Sequence, residues 1–65
     1  MDVDLLVENH GSIFLLRPTS DRGQRWTEDN LADDVQVFGG AIVVEHRYIQ
    51  DIVQGALADG LEVGT

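Results

Sequence analysis

Apolar and polar residues fall into two short extended runs at the start of the chain, Val3-Asp4-Leu5-Leu6-Val7-Glu8 and Ser12-Ile13-Phe14-Leu15-Leu16-Arg17, separated by Asn9-His10-Gly11. Asn and Gly between β-prone runs supply the positive φ angles of a tight connection, so the pattern predicts a β-hairpin. With a period of two, Val3, Leu5 and Val7 share the packed face, and Asp2, Asp4 and Glu8 share the other with Leu6. Pro18 ends the second strand, and Thr19 or Ser20 caps a helix opening with Asp21 and running to about Leu31. Its inward side is Gly23, Trp26, Thr27, Asn30 and Leu31, a thin stripe anchored by Trp26.

Beyond Asp33-Asp34, Gly39-Gly40 separates Val35-Gln36-Val37-Phe38 from Ala41-Ile42-Val43-Val44-Glu45, a second hairpin or else one bulged strand. The clearest periodicity lies between about Arg47 and Asp59, where Tyr48, Ile49, Ile52, Val53, Ala56 and Leu57 form an amphipathic stripe and Gln50, Asp51 and Gln54 face water. Gly60 follows as a left-handed cap with Leu61 as its contact, and Glu62-Val63 is a candidate closing strand. The order ββαββα or ββαβα predicts one α+β domain over residues 1–65, a compact antiparallel sheet with two helices on one face. Gly11-Ser12-Ile13 resembles Gly40-Ala41-Ile42 in placement, and Leu-Ala-Asp occurs at both Leu31 and Leu57, a hint of an internal ββα repeat that chance explains equally well.

At 65 residues such a domain buries only about 60% of its unfolded surface. With no cysteine to supplement the core, apolar packing or oligomerisation must hold it. A hydrophobic content of 43% is that of a folded protein. No run approaches the roughly 20 apolar residues of a membrane span, and the acidic start is unlike a signal peptide, so a cytoplasmic location in a bacterial host is expected.

Charge changes the picture most. Twelve carboxylates face four arginines and no lysine, a net charge of -8. Residues 17–25 sum to +2, leaving -10 for the rest, so the chain is strongly polarised. A field of this sign repels phosphate and anionic lipid and attracts basic surfaces, which excludes nucleic acid and membrane as expected partners. Glu28, Asp29, Asp33 and Asp34 oppose the macrodipole at the end of the first helix, and Asp2 and Asp4 stand about 6.6 Å apart along an extended strand, near the spacing of phosphates on a nucleic-acid strand. Asp2, Asp4, Glu8, Glu28, Asp29, Asp33 and Asp34 are therefore the candidate partner-binding residues, with Leu6, Trp26 or Tyr48 as apolar anchors. The simpler reading is that these acids only solubilise the outer face and discourage edge pairing.

Chemistry-bearing motifs are sparse. His10 and His46 lack HxH, HxxxH or HExxH spacing and read as a turn histidine and a helix-start histidine. Ser12 and Ser20 have no GxSxG frame, and Gly39-Gly40 has no following Lys-Ser/Thr. Neither a catalytic residue nor a metal or other cofactor is expected, and the chain reads as non-enzymatic.

With the ladder Asp2, Asp4, Glu8 and the cluster Glu28, Asp29, Asp33, Asp34, the chain resembles the small acidic proteins of phages and mobile elements, including anti-CRISPR proteins. The likeness rests on size, charge, lack of cysteine and element pattern rather than a diagnostic motif, and the basic segment Arg17 to Arg25 departs from a uniformly negative DNA mimic. It implies stoichiometric inhibition of a CRISPR effector subunit by occupation of its basic nucleic-acid channel or its motif-reading site. The alternative is a small interaction or regulatory module, monomeric or weakly homodimeric through a sheet edge or Trp26, whose acidity serves solubility.

Overall fold

A computed structural model describes residues 3–31 and 36–65. Two hairpins, β1 (Leu5–Asn9) with β2 (Ile13–Pro18) and β3 (Val37–Phe38) with β4 (Ala41–Glu45), are each followed by a helix, α1 (Asp21–Asn30) and α2 (Ile49–Ala58), and β5 (Val63–Gly64) closes the chain. The sheet order is β3-β4-β2-β1-β5. All neighbours are antiparallel except β5, which runs parallel to β1. The α+β class and both helices are as expected, but the sheet is mixed and the order is ββαββαβ.

Local chemistry explains the turns. In the first hairpin Gly11 takes φ +87° and the non-glycine Ser12 does not enter the positive region, the pattern of a type II′ connection. In the second, Gly39 and Gly40 have φ +58° and +81°, as a type I′ turn needs at both central positions, so this segment is a hairpin rather than one bulged strand. Ser20 caps α1 by accepting from the Gly23 backbone N–H at 2.9 Å. Tyr48 precedes α2 without a side-chain cap, and the helix starts at Ile49, two residues later than the expected start near Arg47.

The repeat hinted at by sequence is real in the backbone, at a different spacing. β2 and β4 begin 28 residues apart, at Ile13 and Ala41, and α1 and α2 are separated by the same 28 at both ends. The short sequence identities sit 29 and 26 residues apart and do not superpose the halves. β2 and β4 meet at the centre of the sheet, where Leu15 pairs with Val43, also 28 residues on. A pseudo-two-fold axis thus passes between Leu15 and Val43, perpendicular to the sheet. The crossover β2–α1–β3 and the crossover β4–α2–β5 run in opposite directions both along and across the sheet, so a common hand places both helices on one face.

That face holds the core. Leu5, Val7, Leu16, Ile42 and Val44 point into it and meet Trp26 of α1, Ile49 and Ala56 of α2, and Leu61, with Phe14, Leu31, Ile52, Val53 and Val63 at the margin. Leu5 and Leu16 are fully enclosed. Gly23, Trp26 and Thr27 are buried on α1 as expected, whereas Asn30 is exposed and its amide donates to the Trp26 carbonyl. On α2 the ends of the predicted stripe, Tyr48 and Leu57, are exposed. Among the described residues no helix is long and apolar enough to cross a membrane.

The opposite face of the sheet carries no helix. By the strand register it presents Leu6, Glu8, Ile13, Leu15, Arg17, Phe38, Val43 and Glu45.

Candidate functional site

The expected acidic ladder is not what β1 builds. Asp4 lies just before the strand, in a bend, so the alternation that would have turned it outward does not apply; it is 5% exposed. Its carboxylate accepts from Ser20 Oγ at 2.6 Å, from Arg22 Nη2 at 2.6 Å and from the Glu62 backbone N–H at 2.9 Å. Its backbone N–H donates to the Glu62 carbonyl at 2.8 Å, and its carbonyl accepts from Thr19 N–H at 2.9 Å. The Thr19 hydroxyl donates to the Val3 carbonyl beside it. One residue therefore ties together the entry to β1, the capped start of α1 and the approach to β5. Hydrogen bonding from Arg22, then from the Glu62 amide and Ser20, holds the Asp4 carboxyl far below the usual carboxylate range. This site knits the fold and leaves no carboxylate oxygen turned out toward a partner, correcting the assignment of Asp4 to a binding ladder.

α1 approaches this centre closely because residue 23 is glycine: a Cβ there would stand 2.0 Å from the Asp4 carbonyl oxygen. The helix start can then aim its cap and Arg22 at one carboxylate.

Glu8 lies on the helix-free face and is engaged within the chain. His10 Nε2 is 3.4 Å from its Oε1 and Arg17 Nε is 3.4 Å from its Oε2. Hydrogen bonds from His10 and Arg17 pull its pKa down from the ordinary value. Glu45, on the same face, is 3.4 Å from Arg47 Nε. Both carboxylates of the open sheet face thus have an arginine beside them.

The remaining described carboxylates, Asp21, Glu28, Asp29, Asp51, Asp59 and Glu62, have no arginine partner among the described residues. All six lie in the helices or in the segment linking α2 to β5, and all are exposed. Glu28 and Asp29 occupy the last turn of α1, where Gln24 donates to Glu28 at 3.1 Å. Asp29 and Asp59 line one shallow depression of about 420 Å³ with Arg22, Arg25 and Trp26. The Trp26 indole N–H donates to Asp59 at 2.8 Å, so its ring is a core anchor with only an edge near the surface. Asp2, Asp33 and Asp34 lie outside the described residues. The structure therefore separates the candidate residues: Glu28 and Asp29 stand on the helix layer, Glu8 on the far side of the sheet, and Asp4 inside. Asp21, Asp51, Asp59 and Glu62 join the acidic side unforeseen; Asp21 and Asp51 lie in the first turns of α1 and α2, and Asp59 and Glu62 in the segment that follows α2.

The histidines are placed differently from each other. His10 stands by Glu8, and the His46 ring lies 5.5 Å from that of Phe14. Among the described residues no three His, Asp or Glu side chains converge as metal ligands would. Of the other expected anchors, Tyr48 is about half exposed beneath the Arg47 guanidinium at 4.9 Å, and Leu6 is half-buried on the open sheet face. No family model matches the chain, and neither a curated protein nor a solved structure shows significant similarity to it.

Proposed function

We propose that this chain is a non-enzymatic protein-binding module whose acidic helix layer docks on a basic surface of a protein that handles nucleic acid. The observation that carries this reading is the sorting of charge. Among the described residues, carboxylates with an arginine beside them sit in the interior or on the sheet face, while six without one collect on the helix side, where Arg25 is the arginine with no described carboxylate beside it. Such a layer draws basic partners at long range and repels competing polyanions. On the same layer α2 exposes an apolar side chain, Leu57.

The resemblance to anti-CRISPR proteins makes a CRISPR effector complex the first purified target to assay. Added chain should inhibit target cleavage in proportion to its molar ratio to the effector. Binding should weaken steeply as ionic strength rises, and the triple variant Glu28→Gln, Asp29→Asn, Asp51→Asn should bind less tightly while keeping the wild-type circular dichroism spectrum and cooperative unfolding. Binding to any such basic surface that ignores both salt and these substitutions would refute the acidic-layer reading.

The pairing of Glu8 and Glu45 and the internal role of Asp4 favour a second reading for those particular residues, in which acidity serves solubility and folding rather than recognition.

A further inference from the structure

The helix-free face of the sheet is chemically unlike the rest of the molecule. Leu15 and Val43 stand at its centre on the pseudo-two-fold axis, and Phe38 and Ile13 extend the apolar surface around a groove of about 440 Å³. Leu15 is shielded by its neighbours on that face yet takes no part in the core beneath the helices. Phe38 is 64% exposed, next to the two-glycine turn on an edge strand. Among the described residues, the two carboxylates on this face, Glu8 and Glu45, are matched by Arg17 and Arg47. Arg17 also donates to the Gly39 carbonyl at 3.0 Å, which holds the β3–β4 turn against β2.

We propose that this face is the interface for a second copy of the chain, packed sheet on sheet with the acidic helix layers turned outward. Charge selects the occupant. Two chains of net charge -8 repel each other wherever their helix layers approach, and the sheet face is the surface where apolar groups and internally balanced ion pairs let identical copies meet. A basic protein is drawn to the helix side, and anionic lipid or nucleic acid is repelled. Stacked sheets of this kind lie about 10 Å apart with side chains interleaved. Four strands at about 4.8 Å spacing and five residues at about 3.3 Å rise make a footprint of roughly 19 by 17 Å per copy. That is about 320 Å² per copy, below the roughly 600 Å² per partner of stable specific interfaces, so the dimer is a weak one that should dissociate on dilution. The pairing is independent of the function proposed above, and a dimer would present two acidic layers to one extended basic partner, adding avidity.

Sedimentation equilibrium of the full chain over about 10 µM to 1 mM, at low and high salt, tests this. The expected result is a monomer–dimer equilibrium that tightens as salt screens the mutual repulsion, the reverse of the salt response of basic-partner binding, so the two proposals fail separately. Phe38→Glu, at an exposed position outside the core, should weaken self-association at least about tenfold by setting like charges into an apolar contact. Amide chemical-shift changes on diluting the unmodified chain should map to β2, β4 and the Phe38 turn. A monomer across the whole range, association that loosens with salt, or shifts confined to α1 and α2 would overturn the proposal.

Discussion

Two helical glycines, one in each helix, should respond to the same substitution with opposite signs. Gly23 is the third residue of α1 and Gly55 the seventh of α2, and within a helix alanine is favoured over glycine by up to about 1 kcal/mol on propensity alone. At Gly55 the added methyl meets Trp26 Cζ2 at 3.7 Å, an ordinary contact, so Gly55→Ala should keep that gain. At Gly23 it would lie 2.0 Å from the Asp4 carbonyl oxygen and 2.8 Å from its carbon. Carbon and carbonyl oxygen normally come no nearer than roughly 3.3 Å, and both clashing atoms are backbone, so no rotamer change relieves the overlap. α1 must withdraw by about 1.3 Å. That movement pulls at the 2.9 Å bond from Thr19 to the Asp4 carbonyl and the 2.6 Å bond from Ser20 to its carboxylate. Overpacking of this severity costs about 3 kcal/mol, leaving a net loss of about 2 kcal/mol after the propensity gain. In a domain of this size that lowers Tm by about 8–16 °C, while Gly55→Ala raises it by about 4–8 °C. Thermal unfolding followed by far-ultraviolet circular dichroism reads both without relying on the Trp26 signal. A Gly23→Ala variant as stable as wild type would refute the close approach of α1 to Asp4.

Further expectations concern the same framework. Because folding depresses the Asp4 and Glu8 pKa values below those of the unfolded chain, their stabilisation is complete above the ordinary carboxylate range and is lost as pH falls through the folded values; urea midpoints between about pH 6 and pH 2 should fall, less steeply in Asp4→Asn. Leu16→Ala, at a fully enclosed position, should cost about 2–5 kcal/mol in denaturant unfolding. Gly40→Ala, at φ +81°, should cost about 1–2 kcal/mol in the same assay by forcing an L side chain into the left-handed region. Glu28→Gln with Asp29→Asn should leave stability unchanged or raise it by about 0.3–1 kcal/mol, since both carboxylates oppose the dipole at the end of α1; a clear loss in thermal unfolding would show that they are structural.

What the sequence by itself determined is local. Gly11 and the pair Gly39-Gly40 specify tight hairpin turns through the φ values that glycine tolerates, Ser20 specifies a helix start through its hydroxyl, and Gly60 specifies a helix end at φ +86°. Period-two and helical alternation located the strands and helices to within a few residues because each depends on neighbours along the chain. The net charge of -8 was equally visible, as was the exposed position of Glu28 and Asp29. Only the tertiary structure decided where charge is neutralised. Asp4 looked like one member of an outward ladder until Arg22 and Glu62, 18 and 58 residues away, were brought to its carboxylate. The 28-residue repeat was hidden because equivalent positions share backbone geometry without sharing side chains, so Gly23 matches Asp51 and Trp26 matches Gln54. The parallel pairing of β5 with β1 depends likewise on a crossover over the sheet, and it is that crossover, with its mate through α1, that gathers the helices on one face. One side of the sheet is thereby left acidic and the other apolar, because a two-layer fold with both helices on one face has no second layer with which to cover its sheet.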